Sequence, residues 1–378
     1  MAADPTYPLY PVANILAAAS LLLVLLTSAI RRSWNLGLAF LCFWLFFEAL
    51  ADGINGILWS NNADPKLYVY CDIVTRLQIA SFVVKPMATL IMMRHLYNIA
   101  GLRSVDSFRT ISRQWEWLID WTAGVLIPFL VAGPFYYVVQ GVRFNLVEGF
   151  GCMNGTNPSI LSILLLELWG IIPPLYCVAF YYPRVVRVFY FHNRDVNRFM
   201  RSEGDTSISR STYLRILIIA SIDIILTLPM GIVVLAFNVV LSKQNGEQLP
   251  FYSGWASVHT SLVPPGTEYA DLEAVTQGRT VLVHLYFAFG TTPVLAFTIF
   301  ALFGLTHDAR ESYWRAFRAI VRPFGWRLAH MSRKREDSSL DTIEFGTPPQ
   351  ESTLDDDADD ADQRPRMAMF TLPTSDSQ

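Results

Sequence analysis

The stretch CDIVTRLQIASFVVKPMATLIMMRHLY, residues 71–97, decides the fold of this chain. It is an apolar run long enough to cross a membrane, yet it contains Arg76, Lys85 and Pro86. A cation at the depth of a bilayer costs roughly 2.5 to 3.5 kcal/mol or more unless a partner or water meets it. We therefore expect a central membrane helix whose polar side chains meet other helices, with one end tied to an extracellular loop and the other open to cytoplasmic partners.

The composition of the chain points to the same class of protein. Of its 378 residues, 52% are hydrophobic and only 16% are charged. A soluble protein carries about 25% charged residues. These proportions argue against an ordinary soluble domain and indicate a polytopic membrane protein. The four cysteines are too few for a disulfide scaffold, so one or two bridges are the most that the chain offers.

Seven stretches have the length of about 20 apolar residues that a spanning helix needs. They lie at 11–30, 36–58, 70–93, 117–138, 159–182, 214–241 and 280–304. The first is followed by Arg31 and Arg32 and has no basic residue before it, the reverse of a cleaved signal peptide. Lys and Arg are concentrated after the odd-numbered stretches, which places the N-terminus outside and the C-terminus inside. We predict an all-α membrane protein, a seven-transmembrane helix bundle.

The predicted organisation has four parts. Residues 1–10 form an extracellular N-terminus and residues 11–304 form the seven-helix domain. Residues 305–328 combine a basic and an apolar face at helical spacing, which favours a short amphipathic helix in the inner leaflet over a solvated charged tail. Residues 329–378 include a run of acidic residues and are rich in Ser, Thr and Pro, so we expect a disordered acidic cytoplasmic tail.

The outer side of the predicted bundle contains two cysteines that can pair. Cys71 begins the third stretch, and Cys152 lies in the loop 139–158 on the same side. In an oxidising compartment we predict a disulfide between them, the alternative being two free thiols. Asn154 opens an Asn-Gly-Thr sequon and is a candidate glycosylation site. The long loop 242–279 is rich in aromatic residues, which favours a folded lid over a disordered segment.

Polar residues inside the stretches are functional candidates, because they are costly to bury in a membrane. Asp52 and Arg76 lie at similar depth in the outer half of the bundle, which predicts an ion pair at the floor of an outward-facing cavity. Snorkelling of either side chain to water is the alternative. Proline interrupts several stretches, and we expect kinks that allow switching at Pro86, Pro229 and Pro293.

Motifs of other functional classes are missing from the sequence. It contains no HExxH, GxSxG, CxxC or Walker-type loop, so we predict no enzyme activity, no cofactor and no metal site. The seventh stretch lacks the lysine that a retinal Schiff base requires. A polytopic transporter or channel is the alternative function. Its intramembrane charges would be Arg76, Lys85, Glu167 and Asp223.

Several segments, in the right order, resemble one receptor family. They are CDIVTRLQIASFVVKPMA, GFGC, YLRILIIASIDIILTLPMG, LPFYSGWASVH and FGLTHDARESYWRAF. Together they resemble the fungal mating-pheromone receptors for lipid-modified peptides, class D G-protein-coupled receptors, and within them the basidiomycete mating-type receptors. The resemblance covers about residues 8–325. The rhodopsin-like acidic-Arg-Tyr and NPxxY motifs are replaced by MRHLY and TTP, and both departures fit this family.

The resemblance implies a ligand, partners and a location. The ligand would be a farnesylated peptide pheromone with a C-terminal cysteine methyl ester. The partners would be the lipid bilayer and a heterotrimeric G protein that feeds a MAP-kinase cascade, with no nucleic acid, and with self-association into a homo-oligomer left open. The location would be the plasma membrane, as a multi-pass protein.

The resemblance also suggests residues for the two binding surfaces. The candidate ligand contacts are Asp52, Arg76, Trp255, His259 and Tyr286. The candidate G-protein-facing residues are Arg94, His95, Arg187, Arg210 and Arg215. For each arginine the alternative is an anchor that touches only lipid phosphates.

Overall fold

A computed structural model describes the helical part of the chain with short gaps. The described residues are 6–31, 35–101, 109–191, 210–244, 249–259, 263–274, 278–307, 309–311 and 313–315. All of them belong to the first of two units, Met1–Pro323. The acidic tail predicted at 329–378 and most of the predicted amphipathic helix at 305–328 lie outside the described residues.

The described chain is mainly helical. Its long helices are α1 (Leu9–Arg31), α2 (Leu36–Leu58) and α3 (Tyr68–Gly101). The fourth helical run, residues 109–139, consists of α4 (Arg109–Trp121), α5 (Ile127–Leu130) and α6 (Tyr136–Val139), with π turns between them. The fifth run, residues 160–191, consists of α7 (Ile160–Leu165), α8 (Ile172–Tyr176) and α9 (Tyr182–Phe191). Then follow α10 (Arg210–Gln244), α11 (Trp255–Val258), α12 (Tyr269–Ala274) and α13 (Gly278–Ile299).

Six helical segments of the described chain are long and apolar enough to cross a membrane. They are Leu9–Ala29, Leu36–Leu58, Tyr68–Asn98, Gln114–Val139, Ser211–Ala236 and Val281–Gly304. The stretch predicted at 159–182 is not one continuous helix. Pro173 and Pro174 cannot donate backbone hydrogen bonds, and the chain makes a 3₁₀ turn before them and a π turn after them. The prediction of a helical membrane protein is confirmed. Six of the seven predicted spans are found among the described residues, and the fifth run is the one that is missing.

The segment that begins at Cys71 forms the central helix, as predicted. Of the six spans, α3 is the most buried, and it contacts α2, the fourth and fifth runs, and α10. Its interior side chains include Val83, Val84, Ala88 and Met92, which are almost fully buried in the main hydrophobic core. Apolar side chains therefore hold α3 at the centre, and its few polar groups meet partners on neighbouring helices.

A small sheet covers the end of the bundle at which α3 begins. Strand β1 (Asn145–Val147) pairs antiparallel with β2 (Gly151–Met153) and parallel with β3 (Gly266–Thr267), in the order β2-β1-β3. Strand β3 comes from the loop predicted at 242–279. The described part of that loop is therefore folded, as predicted, and pairs with the loop 139–158. We call this sheet and its two loops the cap.

Candidate functional site: the cap, the buried charge cluster and the Asp120 clamp

The predicted disulfide fixes the cap to α3. Cys71, in the first turn of α3, is bonded to Cys152 in β2, and their Cα atoms are 5.4 Å apart. Both cysteines are fully buried, with Trp59, Phe144 and Leu146 in the same apolar cluster. The remaining cysteines are buried free thiols, as predicted: Cys42 and Cys177.

An ion pair beside the disulfide strengthens the same joint. Arg143, just before β1, donates from Nη2 to Asp72 Oδ2 at 2.6 Å and from Nε to both carboxylate oxygens at 3.0 and 3.2 Å. Its guanidinium also lies 5.3 Å from the ring centre of Tyr68. The hydrogen bonds with Asp72 raise the pKa of the Arg143 guanidinium, so it stays charged at physiological pH. This pair was not predicted, although Asp72 directly follows Cys71.

Glycines in the segment GFGC let the cap approach α2 closely. Gly149 and Gly151 have φ angles of +85° and +79°, a region that L side chains rarely adopt. A Cβ atom added to Gly151 would lie 2.6 Å from the Cβ atom of Asn55. The amide nitrogen of Gly149 donates to the carbonyl of Trp59 at 2.7 Å. The turn between β1 and β2 therefore rests on the end of α2 because it has no side chains there.

The Gln78 side chain of α3 connects the cap with the interior. Gln78 Nε2 donates to the carbonyl oxygen of Cys152 at 3.1 Å and lies 3.5 Å from Asp52 Oδ1. The predicted ion pair between Asp52 and Arg76 is therefore wrong. Residues two apart on an α-helix point about 200° apart, so the face of α3 that presents Gln78 to Asp52 turns Arg76 away. Arg76 is exposed and has no carboxylate partner among the described residues.

Below the cap, Lys85 is the centre of a buried charge cluster. Its Nζ atom donates to Glu48 Oε1 of α2 at 3.0 Å and to Thr292 Oγ1 of α13 at 3.1 Å. One turn further along α3, Thr89 Oγ1 donates to Asp223 Oδ2 of α10 at 2.6 Å. Polar contacts of α3 thus join four helices at the depth of the membrane interior. Two of the charged residues that a transporter would use, Lys85 and Asp223, are engaged in these contacts.

The predicted kink prolines lie next to this cluster. Pro86 follows Lys85, and Pro293 follows Thr292. On both helices, a residue of the cluster therefore comes directly before a proline, which has no backbone N–H to donate. Pro229 lies in α10, six residues after Asp223. The helices α3, α10 and α13 continue through these prolines. Their role as switches stays a prediction.

Two predicted ligand contacts, Trp255 and His259, meet each other in the cap. Their rings are stacked with centres 4.2 Å apart. The two ring nitrogens of His259 lie 3.0 Å from the carbonyl oxygens of Trp255 and Tyr137. Because Tyr137 belongs to α6, this contact holds the loop 242–279 against the last turn of the fourth run.

Tyr286, another predicted ligand contact, lies under the cap at α13. Its hydroxyl oxygen is 3.3 Å from that of Tyr269, and its ring centre is 5.2 Å from that of Phe150 in the turn between β1 and β2. The structure thus brings Trp255 and His259 together, whereas Asp52, Arg76 and Tyr286 have other neighbours. Asn154, the candidate glycosylation site, is exposed in the cap.

At the other end of α3, two predicted G-protein-facing residues bind an acidic residue of α4. Arg94 Nη2 donates to Asp120 Oδ1 at 2.7 Å and to the backbone carbonyl of Glu116 at 3.0 Å. His95 Nε2 lies 2.8 Å from Asp120 Oδ2. We call Arg94, His95 and Asp120 the Asp120 clamp. Asp120 was not singled out from the sequence, although an aspartate inside the apolar stretch 117–138 is the signal that marks it.

The other predicted G-protein-facing residues lie outside this clamp. Arg187 of α9 is exposed and Arg215 of α10 is half-buried, while the side chain of Arg210 lies outside the described residues. The neighbouring Arg184 of α9 donates to the hydroxyl oxygen of Tyr97 at 2.6 Å. Polar contacts of α3 therefore reach both the fourth and the fifth runs at this end of the bundle.

These features define a multi-pass membrane protein with a disulfide-held cap and a polar centre. The model of the STE3 family, described as "Pheromone A receptor", matches residues 9–324. The chain belongs to this family, so the resemblance seen in the sequence is confirmed. It is a family of plasma-membrane receptors, not of enzymes.

Comparison with known proteins finds similar pheromone receptors of several fungi. The chain is 28% identical over 328 residues to the Pheromone B alpha 2 receptor of Schizophyllum commune, covering 85% of this chain and 48% of that protein. It is 29% identical over 291 residues to Pheromone receptor 1 of Mycosarcoma maydis, covering 77% and 78% of the two chains. With the Pheromone a factor receptor of Saccharomyces cerevisiae it shares 24% identity over 294 residues, covering 76% and 57%. The chain spans about half the length of the Schizophyllum relatives it matches first.

Proposed function

We propose that this protein is a G-protein-coupled receptor for a farnesylated peptide mating pheromone, and that it activates a heterotrimeric G protein and the mating response. The family match over residues 9–324 is the observation that carries this proposal. The relatives support the ligand class, since each is named as a pheromone receptor and one as an a factor receptor.

The proposed receptor has seven spans, with its N-terminus outside and an acidic tail inside. The interrupted fifth run is counted as a span in addition to the six continuous ones. Only an odd number of spans keeps the connections rich in Lys and Arg on one side of the membrane. Broken helical backbone is tolerated in a membrane where neighbouring helices contact it, and the fifth run contacts α3 and α10. This topology places the cap outside and the Asp120 clamp inside.

The proposed ligand site lies beneath and beside the cap. Burial of a farnesyl chain contributes about 0.8 kcal/mol per CH₂ group, so the site needs apolar surface for the lipid and polar groups for the peptide. Trp255 and Phe251 are exposed aromatic residues of the lid. Arg76 is an exposed cation in the outer half of α3. We assign the lipid to the aromatic surface and the peptide backbone to the side of Arg76.

Signal transmission would proceed by population shift, in which the pheromone binds the active arrangement more tightly than the resting one. Gln78 would couple ligand binding at the cap to the interior of the bundle, since it contacts both Cys152 in the cap and the buried carboxylate of Asp52. Lys85 of α3 bonds both α2 and α13, so a movement of α3 would break or re-form both contacts together. These contacts support a coupled change of helix positions, which a functional assay must test.

A pheromone response assay tests the proposal. The chain is expressed in yeast that lacks its own pheromone receptor, and farnesylated and unfarnesylated forms of the same candidate peptides are compared at matched surface levels. We expect a response only to farnesylated peptides and only in the presence of the G protein. Equal responses to both forms would overturn the ligand class. Solute flux across liposomes containing the purified protein, without nucleotide exchange on a G protein, would overturn the receptor function in favour of a transporter.

A further inference from the structure

Among the residues that the structure describes, three carboxylates and one ammonium group are buried in the centre of the helix bundle. The exposed fraction is 8% for Glu48, 1% for Asp52, 0% for Asp223 and 7% for Lys85. If all four side chains were ionised, three negative charges and one positive charge would leave two net negative charges in the interior. An unpaired buried carboxylate is so costly that it takes up a proton rather than remain charged.

Hydrogen bonds are missing from one oxygen atom of each carboxylate. Among the described residues, Glu48 Oε2, Asp52 Oδ2 and Asp223 Oδ1 are buried without a hydrogen-bond partner. The second oxygen of Glu48 is bound by Lys85 at 3.0 Å, and that of Asp223 by Thr89 at 2.6 Å. The second oxygen of Asp52 has only Gln78, at 3.5 Å, which is at the outer limit of a hydrogen bond. Asp52 is therefore the carboxylate with the weakest compensation for a negative charge.

Glu48 and Asp52 are four residues apart in α2, so they share one face of the helix. We infer that these two side chains hold one proton between them, carried on Asp52 Oδ2 and donated to Glu48 Oε2. This proton gives a partner to two oxygens that otherwise have none, and it removes one of the two excess negative charges. It also leaves the charge of Glu48 available to Lys85.

Other titratable groups around the pair agree with this assignment. Lys85 approaches from α3 and donates to Glu48, not to Asp52, and Asp223 of α10 accepts from Thr89. Tyr70 of α3 donates its hydroxyl to Asn55, the next polar side chain along α2, and not to Asp52. A metal ion is a poorer explanation, because the described residues contain no group of three or more His, Cys, Asp or Glu side chains that could hold one.

The shared proton lies close to the cap. Gln78 touches Asp52 with the same amide nitrogen that binds the carbonyl of Cys152. A displacement of β2 would therefore change the surroundings of the protonated carboxyl directly. The inference concerns the proton alone and does not depend on which ligand the cap receives.

Infrared spectroscopy of the purified full chain in lipid nanodiscs tests the inference. A protonated carboxylic acid has a C=O stretching band that is separate from the bands of carboxylates and amides. At neutral pH we expect such a band in the wild type, its loss in Asp52→Asn, and its persistence in the matched control Asp64→Asn, whose carboxylate is exposed beside Lys66. In Glu48→Gln, which keeps the proton donor but changes its acceptor, we expect the band to shift in frequency.

Thermal unfolding provides a second measurement in the same samples. An asparagine at position 52 retains an N–H donor toward Glu48, whereas an alanine does not, so Asp52→Asn should melt near the wild-type temperature and Asp52→Ala clearly below it. Absence of the acid band in the wild type at neutral pH would overturn the inference, as would a band that both Asp52→Asn and Glu48→Gln leave unchanged. Stabilisation by Na⁺ over K⁺ that Asp52→Asn abolishes, without an acid band, would identify a bound cation instead.

Discussion

Replacement of Asp120 by asparagine should raise signalling in the absence of pheromone. Asp120, which is 2% exposed, accepts charge-assisted bonds from Arg94 at 2.7 Å and His95 at 2.8 Å. In Asp120→Asn the side chain keeps its shape but loses its charge. An asparagine offers one acceptor oxygen where the carboxylate offers two, so either Arg94, with a side chain only 12% exposed, or His95 faces an NH₂ group instead. We expect the clamp to hold α3 against α4 in the resting receptor, because Asp120 of α4 bonds both Arg94 and His95 of α3. In the proposed topology these bonds keep the two side chains from a G protein.

The size of the effect follows from the energy of these bonds. A hydrogen bond to a charged group contributes about 1.5 to 3 kcal/mol. If one such bond is present only in the resting state, its loss raises the ratio of active to resting receptor roughly 10- to 150-fold. A receptor that is about 1% active without ligand would then become roughly 10 to 60% active.

The assay is a pheromone-responsive reporter in receptor-deficient yeast, read without peptide and normalised to receptor at the cell surface. The matched control is Glu116→Gln, which leaves the backbone carbonyl that accepts from Arg94 in place and changes the side chain that accepts from Asn98. Asp120→Glu keeps the charge and should stay closer to the wild type than Asp120→Asn. Wild-type basal signalling of Asp120→Asn at equal surface level would refute the reasoning. A weaker pheromone response without a basal rise would assign the clamp to the active state.

Three further predictions concern the cap and the charge cluster. Cys71→Ser and Cys152→Ser should each lower surface expression or pheromone response, and the double variant should be little worse than either, since both remove the same bond; additive losses would contradict pairing. Gly151→Ala should lower the thermal stability by at least about 1 to 2 kcal/mol, because alanine is strained at a φ of +79° and its Cβ would crowd Asn55; an unchanged melting temperature would contradict this. Lys85→Met should cost about 3 to 5 kcal/mol by leaving its buried carboxylate partner uncompensated, and a chain that unfolds at the wild-type temperature would show that the pair contributes nothing.

Much of the fold could be predicted because spanning helices follow from length and hydropathy. The central position of α3 was predicted from the cost of burying Arg76 and Lys85, and the disulfide from the assignment of both cysteines to the same side of the membrane. The fifth run was the exception. Hydropathy does not respond to backbone geometry, so an apolar stretch with the pair Pro173 and Pro174 is counted like any other, although the chain there leaves the α-helical path.

The site was less predictable because sequence indicates the depth of a residue but not its direction. Asp52 and Arg76 were matched by depth, yet the α3 side chain that reaches Asp52 is Gln78, two residues further on. Lys85 and Glu48 were both recognised as intramembrane charges, but their pairing depends on how α2 and α3 are rotated against each other. That rotation is set by the packing of apolar side chains along the whole interface, which no local pattern contains.

The pairing of Lys85 with Glu48 also has a consequence for biosynthesis. Of the six spans, α3 is the least apolar, and a lysine near the middle of a helix costs about 2.5 to 3.5 kcal/mol when that helix enters the membrane alone. Its counter-ion belongs to α2, the helix that the ribosome delivers immediately before it. The two helices can therefore leave the translocon together as a neutralised hairpin. Loss of Glu48 would then be detected first as a smaller yield of correctly inserted chains, before any receptor reaches the cell surface.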